Sequence, residues 1–367
     1  MALSKVNPNF VSQLGRRNLV INGDMLVAQR GTTATGTGAG SSYSTVDRWR
    51  NQKSGSPLAR FTETQSADYD APTGHSKSLK LEVTTANGTI PASSFQYIDH
   101  FVESQNMTHL NWHTASSGEP LVLSFWVKCS TAQVFSIDFV AYSATQKFLT
   151  KNYTVNSANT WEKKTITIPA DASNVIAVDN SRGIRLRWAL TAGSDRTGSG
   201  GVDTTWQTSA ALEFSGHVNT WADSVGGTWQ LAGVQLEVGT GATEFEHRLY
   251  GEELAACQRY FQKFGGTAYA TIASGMQPNS TNAKFHLSYR QEMRSAPSIT
   301  VGGVVAELIV TDRTAFDQVL SGMSGNVAGR TSAYLSAQYS AVGATGRGIL
   351  LAVKNGTTTT LNLDAEL

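Results

Sequence analysis

Few residues in this chain have the types and spacings that do chemistry, and each has a plainer alternative. Glu63, Asp68 and Asp70 come nearest to a carboxylate pair. Glycoside hydrolysis needs two carboxyls roughly 5–10 Å apart across a cleft. Proximity on one loop does not provide that, so they read as solvated loop acids. His109 and His113 stand four apart, but Leu110-Asn111-Trp112 between them lacks the Glu of a helical zinc-protease motif. Gly36-Thr37-Gly38-Ala39-Gly40 lacks the Lys and the following helix of a phosphate loop, and reads as a flexible loop. There is no G-x-S-x-G elbow. Cys129 and Cys257, the only two cysteines, cannot build a disulfide framework or a zinc cluster. These readings predict no catalytic residue, no cofactor and no metal.

Residues suited to binding are easier to find. Trp206 and Trp221 lie in polar loop sequence, the second between Asn219 and Asp223. A sugar ring offers an apolar C–H face and a polar rim, and an exposed indole beside Asn or Asp matches both. Trp206, Trp221, Asn219 and Asp223 are therefore the expected glycan-binding residues. Partial burial under a loop is the competing reading for the two indoles. Trp49, Trp126, Trp161 and Trp229 lie in strand-like runs and are assigned to the core or its rim, and Trp112 reads as structural. In residues 1–18, Phe10 and Leu14 supply a few apolar contacts, and Arg16 and Arg17 close a stretch without acids. Such a segment cannot bury a core of its own. It is either a solvated basic end or an anchor ordered by an acidic partner.

The elements that position these residues are mostly strands. At 367 residues the chain has room for about two domains on a prior of roughly 150 each. Net charge is +1, so no overall field exists to hold a polyanion, and nucleic acid is excluded as the main partner. No run approaches the ~20 apolar residues of a membrane span, and the N-terminus lacks a signal-peptide core. Ser78–Val83, Thr165–Ile168, Ile184–Trp188 and Trp229–Glu237 alternate with period two, as half-buried strands with one wet face do. The segments between are rich in Gly, Ser, Thr, Asn and Asp, as turns require. All eight Trp fall between Trp49 and Trp229, which marks a boundary after the last of them. Residues 251–264 give the one convincing helical pattern, with Leu254, Cys257, Phe261 and Phe264 on one apolar stripe and acids at its start. Strand patterns return at Lys284–Tyr289, Ser298–Val301, Ala306–Val310 and Gly348–Val353. The fold class expected is mostly β. Residues 1–18 are an anchor, 19–248 a jelly-roll β-sandwich, 249–265 a linking helix, and 266–367 a C-terminal β-sandwich.

Several ordered blocks carry a resemblance. Asn18-Leu19-Val20-Ile21-Asn22-Gly23-Asp24-Met25, then Val27-Ala28-Gln29-Arg30-Gly31 and Val46-Asp47-Arg48-Trp49, resemble the opening of a domain found in tail fibres and other virion proteins of tailed bacteriophages. Leu123–Lys128, Asn159–Pro169, Thr228–Gly239, Thr243–Arg248 with Glu252–Phe261, and Phe285–Pro297 are similar to its later segments, in order. The resemblance implies a jelly roll like that of carbohydrate-binding modules, carried on a virion. The first block is also similar to the opening of calcium-containing modules, but Gly233 stands where their closing strand would carry Asp.

What this implies is a non-enzymatic virion protein, a short tail fibre or adhesin. It would be assembled in the host cytoplasm and act outside the cell. Its partners would be other virion proteins, held through Phe10, Leu14, Arg16 and Arg17, and host surface polysaccharide. The alternatives are a head-decoration or baseplate protein with no ligand, and a glycan-cleaving tailspike. Fibres of this resemblance are commonly homotrimers. The stripe Leu254, Cys257, Phe261 and Phe264 would then lie near the three-fold axis, or else against the side of its own jelly roll.

Overall fold

The computed structural model describes residues 17–55, 59–67, 72–114, 118–171, 175–198, 204–209, 213–313, 317–340 and 346–367. The chain divides into two compact units between Glu253 and Leu254, with Leu367 grouped with the first. Phe10, Leu14, Arg16, Asp68 and Asp70 lie outside the described residues.

The first unit is a jelly-roll sandwich. One sheet has six strands in the order β1 (Thr33–Thr37), β3 (Arg60–Ser66), β4 (Ser78–Thr85), β11 (Thr228–Val238), β6 (Leu121–Cys129) and β9 (Glu162–Ile168). The other has five, β2 (Arg50–Ser54), β5 (Phe95–Glu103), β10 (Arg182–Ala192), β7 (Gln133–Ala141) and β8 (Lys147–Val155). Period-two alternation fills the space between them. Leu79, Leu81, Phe125, Val127 and Leu231 of the first sheet meet Ile98, Phe135, Ile137, Leu186 and Trp188 of the second in one buried core. Trp49, Trp112 and Trp229 are buried there too, as expected, and so is Cys129. The glycine run after Ala34 is not a free loop. Thr33–Thr37 pairs with β3, and Gly38 takes φ +84° against Gln96 and Phe61.

The segment at the start of the described chain belongs to this sandwich. Asn18 donates from Nδ2 to the Val234 carbonyl at 3.0 Å, and its Oδ1 accepts from the Val20 and Leu236 amides. The Arg17 and Asn18 amides both donate to the Glu246 carboxylate, at 3.0 and 2.9 Å. The Arg17 guanidinium donates to Thr243 at 3.0 Å. The Arg17 guanidinium, expected in an anchor gripping an acidic partner, is thus engaged by the Thr243 hydroxyl and the Glu244 carbonyl of its own chain. Gly233 sits at a bulge of β11 with φ +55°, where a Cβ would lie 2.5 Å from the His75 ring. Only glycine meets both conditions. The neighbouring Asp24 carboxylate is taken by His75 Nδ1 at 2.5 Å.

The second unit has two parts. β12 (Phe261–Gly265), β20 (Thr360–Asp364) and β15 (Ser298–Gly302) form a three-stranded sheet. β13 (Thr271–Asn279), β14 (Asn282–Ser288), β18 (Ser332–Tyr339), β17 (Asp317–Ala328), β16 (Leu308–Thr311) and β19 (Gly348–Val353) close into a barrel, which removes free edges. Phe285, Leu287, Leu335 and Leu351 are buried in its core together with Phe264, Leu361 and Leu363 of the small sheet.

The linking helix is shorter than its pattern. α1 spans Tyr250–Gln258, and Phe261-Gln262-Lys263-Phe264-Gly265 pairs residue by residue with Asp364 back to Thr360. Aromatic residues suit a strand, and a full backbone ladder outweighs the helical spacing. Phe261 and Phe264 therefore lie on opposite faces of β12. The apolar stripe Leu254, Cys257, Phe261 and Phe264 does not exist as one helical face. Leu254 is only half-buried, and Cys257 is buried.

This placement generates a prediction. Phe264→Ala should destabilise the second unit by about 3–5 kcal/mol, the usual cost of emptying a buried phenylalanine site, with no change in sedimentation. A lost oligomer at unchanged melting temperature would restore the helical reading.

Candidate functional site

The strand β10 contains Arg182-Gly183-Ile184-Arg185-Leu186-Arg187, whose arginines read from sequence as a wet face. The structure buries Arg185 and Arg187, at 9% and 4% exposure. The reason lies in the register. Across all five strands one row runs Arg50, Asp99, Arg187, Asp138, Thr150. The next runs Phe101, Arg185, Val140, Phe148. The face of the five-stranded sheet turned away from the core thus alternates guanidiniums, carboxylates and aromatic rings.

Asp99, fully buried, holds two arginines. Arg50 donates Nε to Oδ1 at 3.2 Å and Nη2 to Oδ2 at 2.9 Å. Arg185 donates Nε to Oδ2 at 2.8 Å and an Nη2 proton to the Tyr97 hydroxyl at 2.8 Å. Arg187 donates Nε to Asp138 at 2.8 Å and Nη1 to Glu213 at 2.9 Å. Burial pulls both the Arg50 and the Arg187 guanidinium down. The facing carboxylates more than offset it, Asp99 for Arg50, and Asp138 with Glu213 for Arg187, so both stand above their ordinary value. Arginine tolerates this setting because its planar fork matches carboxylate geometry and its flat face stacks on rings.

The rings complete the surface. Arg50, Arg185 and Arg182 lie 4.8, 4.8 and 5.1 Å from the centre of Phe101. Arg182 is also 5.6 Å from Tyr142, and Arg50 is 5.8 Å from Tyr43. At the other end Phe214, beside Glu213, packs on Phe95 and Tyr97 and covers that part of the sheet. Phe95, Tyr43, Tyr142, Phe148 and Arg50 keep part of their surface open, and Arg182 is exposed. This arrangement presents ring faces and guanidinium edges side by side.

The residues expected to bind sugar are elsewhere. Trp221 is 1% exposed, stacks on Phe61 with ring centres 5.6 Å apart, and donates to the Leu190 carbonyl at 2.7 Å. It is a core residue and offers no face to a ligand. The Asn219 amide is spent on the Ala192 backbone, accepting at 2.8 Å and donating at 2.9 Å. Asp223 is exposed, and Trp206 is half-buried, edge-on to Trp112 and bonded to the Pro169 carbonyl. The four do not form a platform. Sequence reading missed Tyr97, Asp99, Phe101 and Arg50. The signal was present in Phe95-Gln96-Tyr97-Ile98-Asp99-His100-Phe101, whose odd positions carry three rings and one acid against the arginines of β10.

Among the described residues no group of three or more His, Cys, Asp or Glu is placed to hold a metal ion, and no helix is long and apolar enough to cross a membrane. Glu63, read as a loop acid, points between the two sheets at 1% exposure and accepts from the Thr45 hydroxyl at 2.5 Å. Burial pushes its carboxyl up from 4.5 to about 7, against the pull of Thr45. Between those values the folded chain keeps a proton that the unfolded chain has released. Stability therefore falls as pH rises from about 4.5 to about 7, by on the order of 3 kcal/mol, and this contribution is flat above. Glu63→Gln should gain stability relative to the parent between pH 5 and 8 in denaturant titrations, within about that limit. A difference that does not change with pH would contradict the buried placement.

No protein-family model matches the chain, and no curated protein sequence matches it. Solved structures do show a likeness. The enzymatically active domain of tailspike protein 4 from bacteriophage CBA120 is 12% identical at TM-score 0.29, over 52% of this chain and 19% of that one. The match thus spans about a fifth of the tailspike chain. A CBM4 structure is 11% identical at TM-score 0.29, over 60% of this chain and 99% of its own. A family 11 carbohydrate-binding module from Clostridium thermocellum, solved with a β-1,3-1,4-mixed-linked tetrasaccharide, is 10% identical at TM-score 0.29, over 58% and 98%.

Proposed function

We propose that this chain is a glycan-binding protein of a phage virion, a short tail fibre or adhesin, and that it binds host surface polysaccharide without cleaving it. The observation that carries the binding reading is the open part of the five-stranded sheet's outer face. Tyr142 and Tyr43 keep part of their surface open next to guanidiniums. Pyranose C–H faces stack on such rings, and hydroxyls accept from guanidinium edges. The buried ion pairs beneath hold the side chains in place before a ligand arrives, which lowers the ordering cost of binding. The virion assignment rests on the resemblance of the Asn18–Met25 and later blocks. A homotrimer remains the proposed assembly, its contacts now assigned to the β-units, because α1 has only nine residues.

Two outcomes follow. Tyr142→Ala should weaken binding of purified protein to host surface polysaccharide about tenfold, roughly 1.4 kcal/mol, at unchanged melting temperature, and no reducing ends should appear on prolonged incubation. Unchanged affinity would remove this face from binding, and released reducing ends would make the protein an enzyme. Deleting residues 1–16 should leave a folded chain with full polysaccharide affinity that no longer enters the virion. Normal incorporation would sink the anchoring role of Phe10, Leu14 and Arg16.

A further inference from the structure

We infer that the saccharide taken by this face is anionic, its carboxylate or sulfate group held by Arg182 beside Arg50; the inference rests on the glycan-binding reading above. Charge is unevenly distributed along the face. At the covered end, Arg187 and Arg196 face Asp138 and Glu213, two against two. At the open end, Arg50, Arg182 and Arg185 surround the single ring of Phe101. Asp99 is consumed by Arg50 and Arg185.

Beyond its strand pairing, the Arg182 side chain has no hydrogen bond or ion pair with any described residue. The acid opposite it in the register, Glu103, is buried, and its Oε1 accepts from Gln105 at 2.7 Å. Arg30, near Tyr43, leans to Asp47 at 3.8 Å. Even with Glu103 counted, the open end carries three cations against two anions.

That excess is local. The whole chain has a net charge of only +1, with 16% charged residues. Three guanidiniums around one ring repel each other, and the cation–π attraction at an exposed site is a small return. A ligand anion would relieve the repulsion and gain a charge-assisted, two-pronged hydrogen bond from Arg182. A neutral sugar needs the rings and has no use for the extra cation. Arg182 lies over Phe101 with its other neighbour Tyr142 half-buried, so its edge is held at the surface beside a stacking ring.

Isothermal titration of the full chain tests this with two anionic probes, oligogalacturonate and dextran sulfate, and two neutral ones, methyl-esterified oligogalacturonate and dextran. The anionic probes should bind at least about tenfold tighter, with affinity falling as salt rises. Arg182→Gln should lose most of that preference at unchanged melting temperature, while the neutral probes lose at most the small share of one hydroxyl contact. Lys128→Gln, on the outer face of the other sheet, should change nothing. Carboxylate and sulfate preferences separate the two ligand chemistries. Neutral probes binding as well as anionic ones, or an anionic preference that survives Arg182→Gln, would overturn the inference and leave glycan binding standing. Failure of every probe to bind, together with no binding to host polysaccharide, would overturn both.

Discussion

Asp99 is the residue on which the outer face depends. It is a fully buried carboxylate in the middle of a strand, a position that costs several kcal/mol unless its charge is met. It is met twice, by Arg50 from one neighbouring strand and Arg185 from the other. That arrangement fixes the register of three strands, since a one-residue slip would turn the arginines into the core. It also orients the three cations around Phe101 and places Tyr97 under the Arg185 fork. Asp138 repeats the device one strand further along, with Arg187 as its partner and Glu213 closing over the top. A sheet face that would otherwise be wetted is thereby made stiff, partly dry and charged.

The rest of the sandwich supplies the frame. Hydrophobic burial between the sheets holds them together without direction, and hydrogen bonds at one edge give it order. Asn18 and Asn22 act as the knots. Asn22 donates Nδ2 to the Val27 and Asp47 carbonyls, and its own carbonyl accepts from Trp49 Nε1 at 3.0 Å. Asn18 ties the same segment to β11 around the Gly233 bulge. The Asn18–Met25 block is therefore a fold-closing device, its buried asparagine side chains satisfied by backbone partners both near, at Val20 and Val27, and distant, at Asp47, Val234 and Leu236.

The strands were legible because alternation is local. Ser78–Val83, Ile184–Trp188 and Gly348–Val353 each sit in a strand where the pattern placed one. What lies over a strand is not local. Arg185 and Arg187 look solvated in sequence because the carboxylates that bury them come from Asp99, Asp138 and Glu213, distant in the chain. Trp221 looked exposed among polar neighbours, yet its indole reaches back to Phe61 and Leu190. Phe261 and Phe264 satisfy helical spacing and strand composition equally, and the pairing with β20, about a hundred residues on, decides between them. The binding face was hidden for the same reason: it is assembled by register, and register is a property of pairs of strands.

The most direct test of this account is a crystal structure of the protein with an acidic oligosaccharide bound. The account places the sugar ring on Tyr142 and the anionic group within hydrogen-bonding distance of Arg182 Nη atoms, with Asp99, Arg50 and Arg185 unmoved. A saccharide seated instead beside Trp206 and Asp223, or on the outer face of the six-stranded sheet, would contradict it.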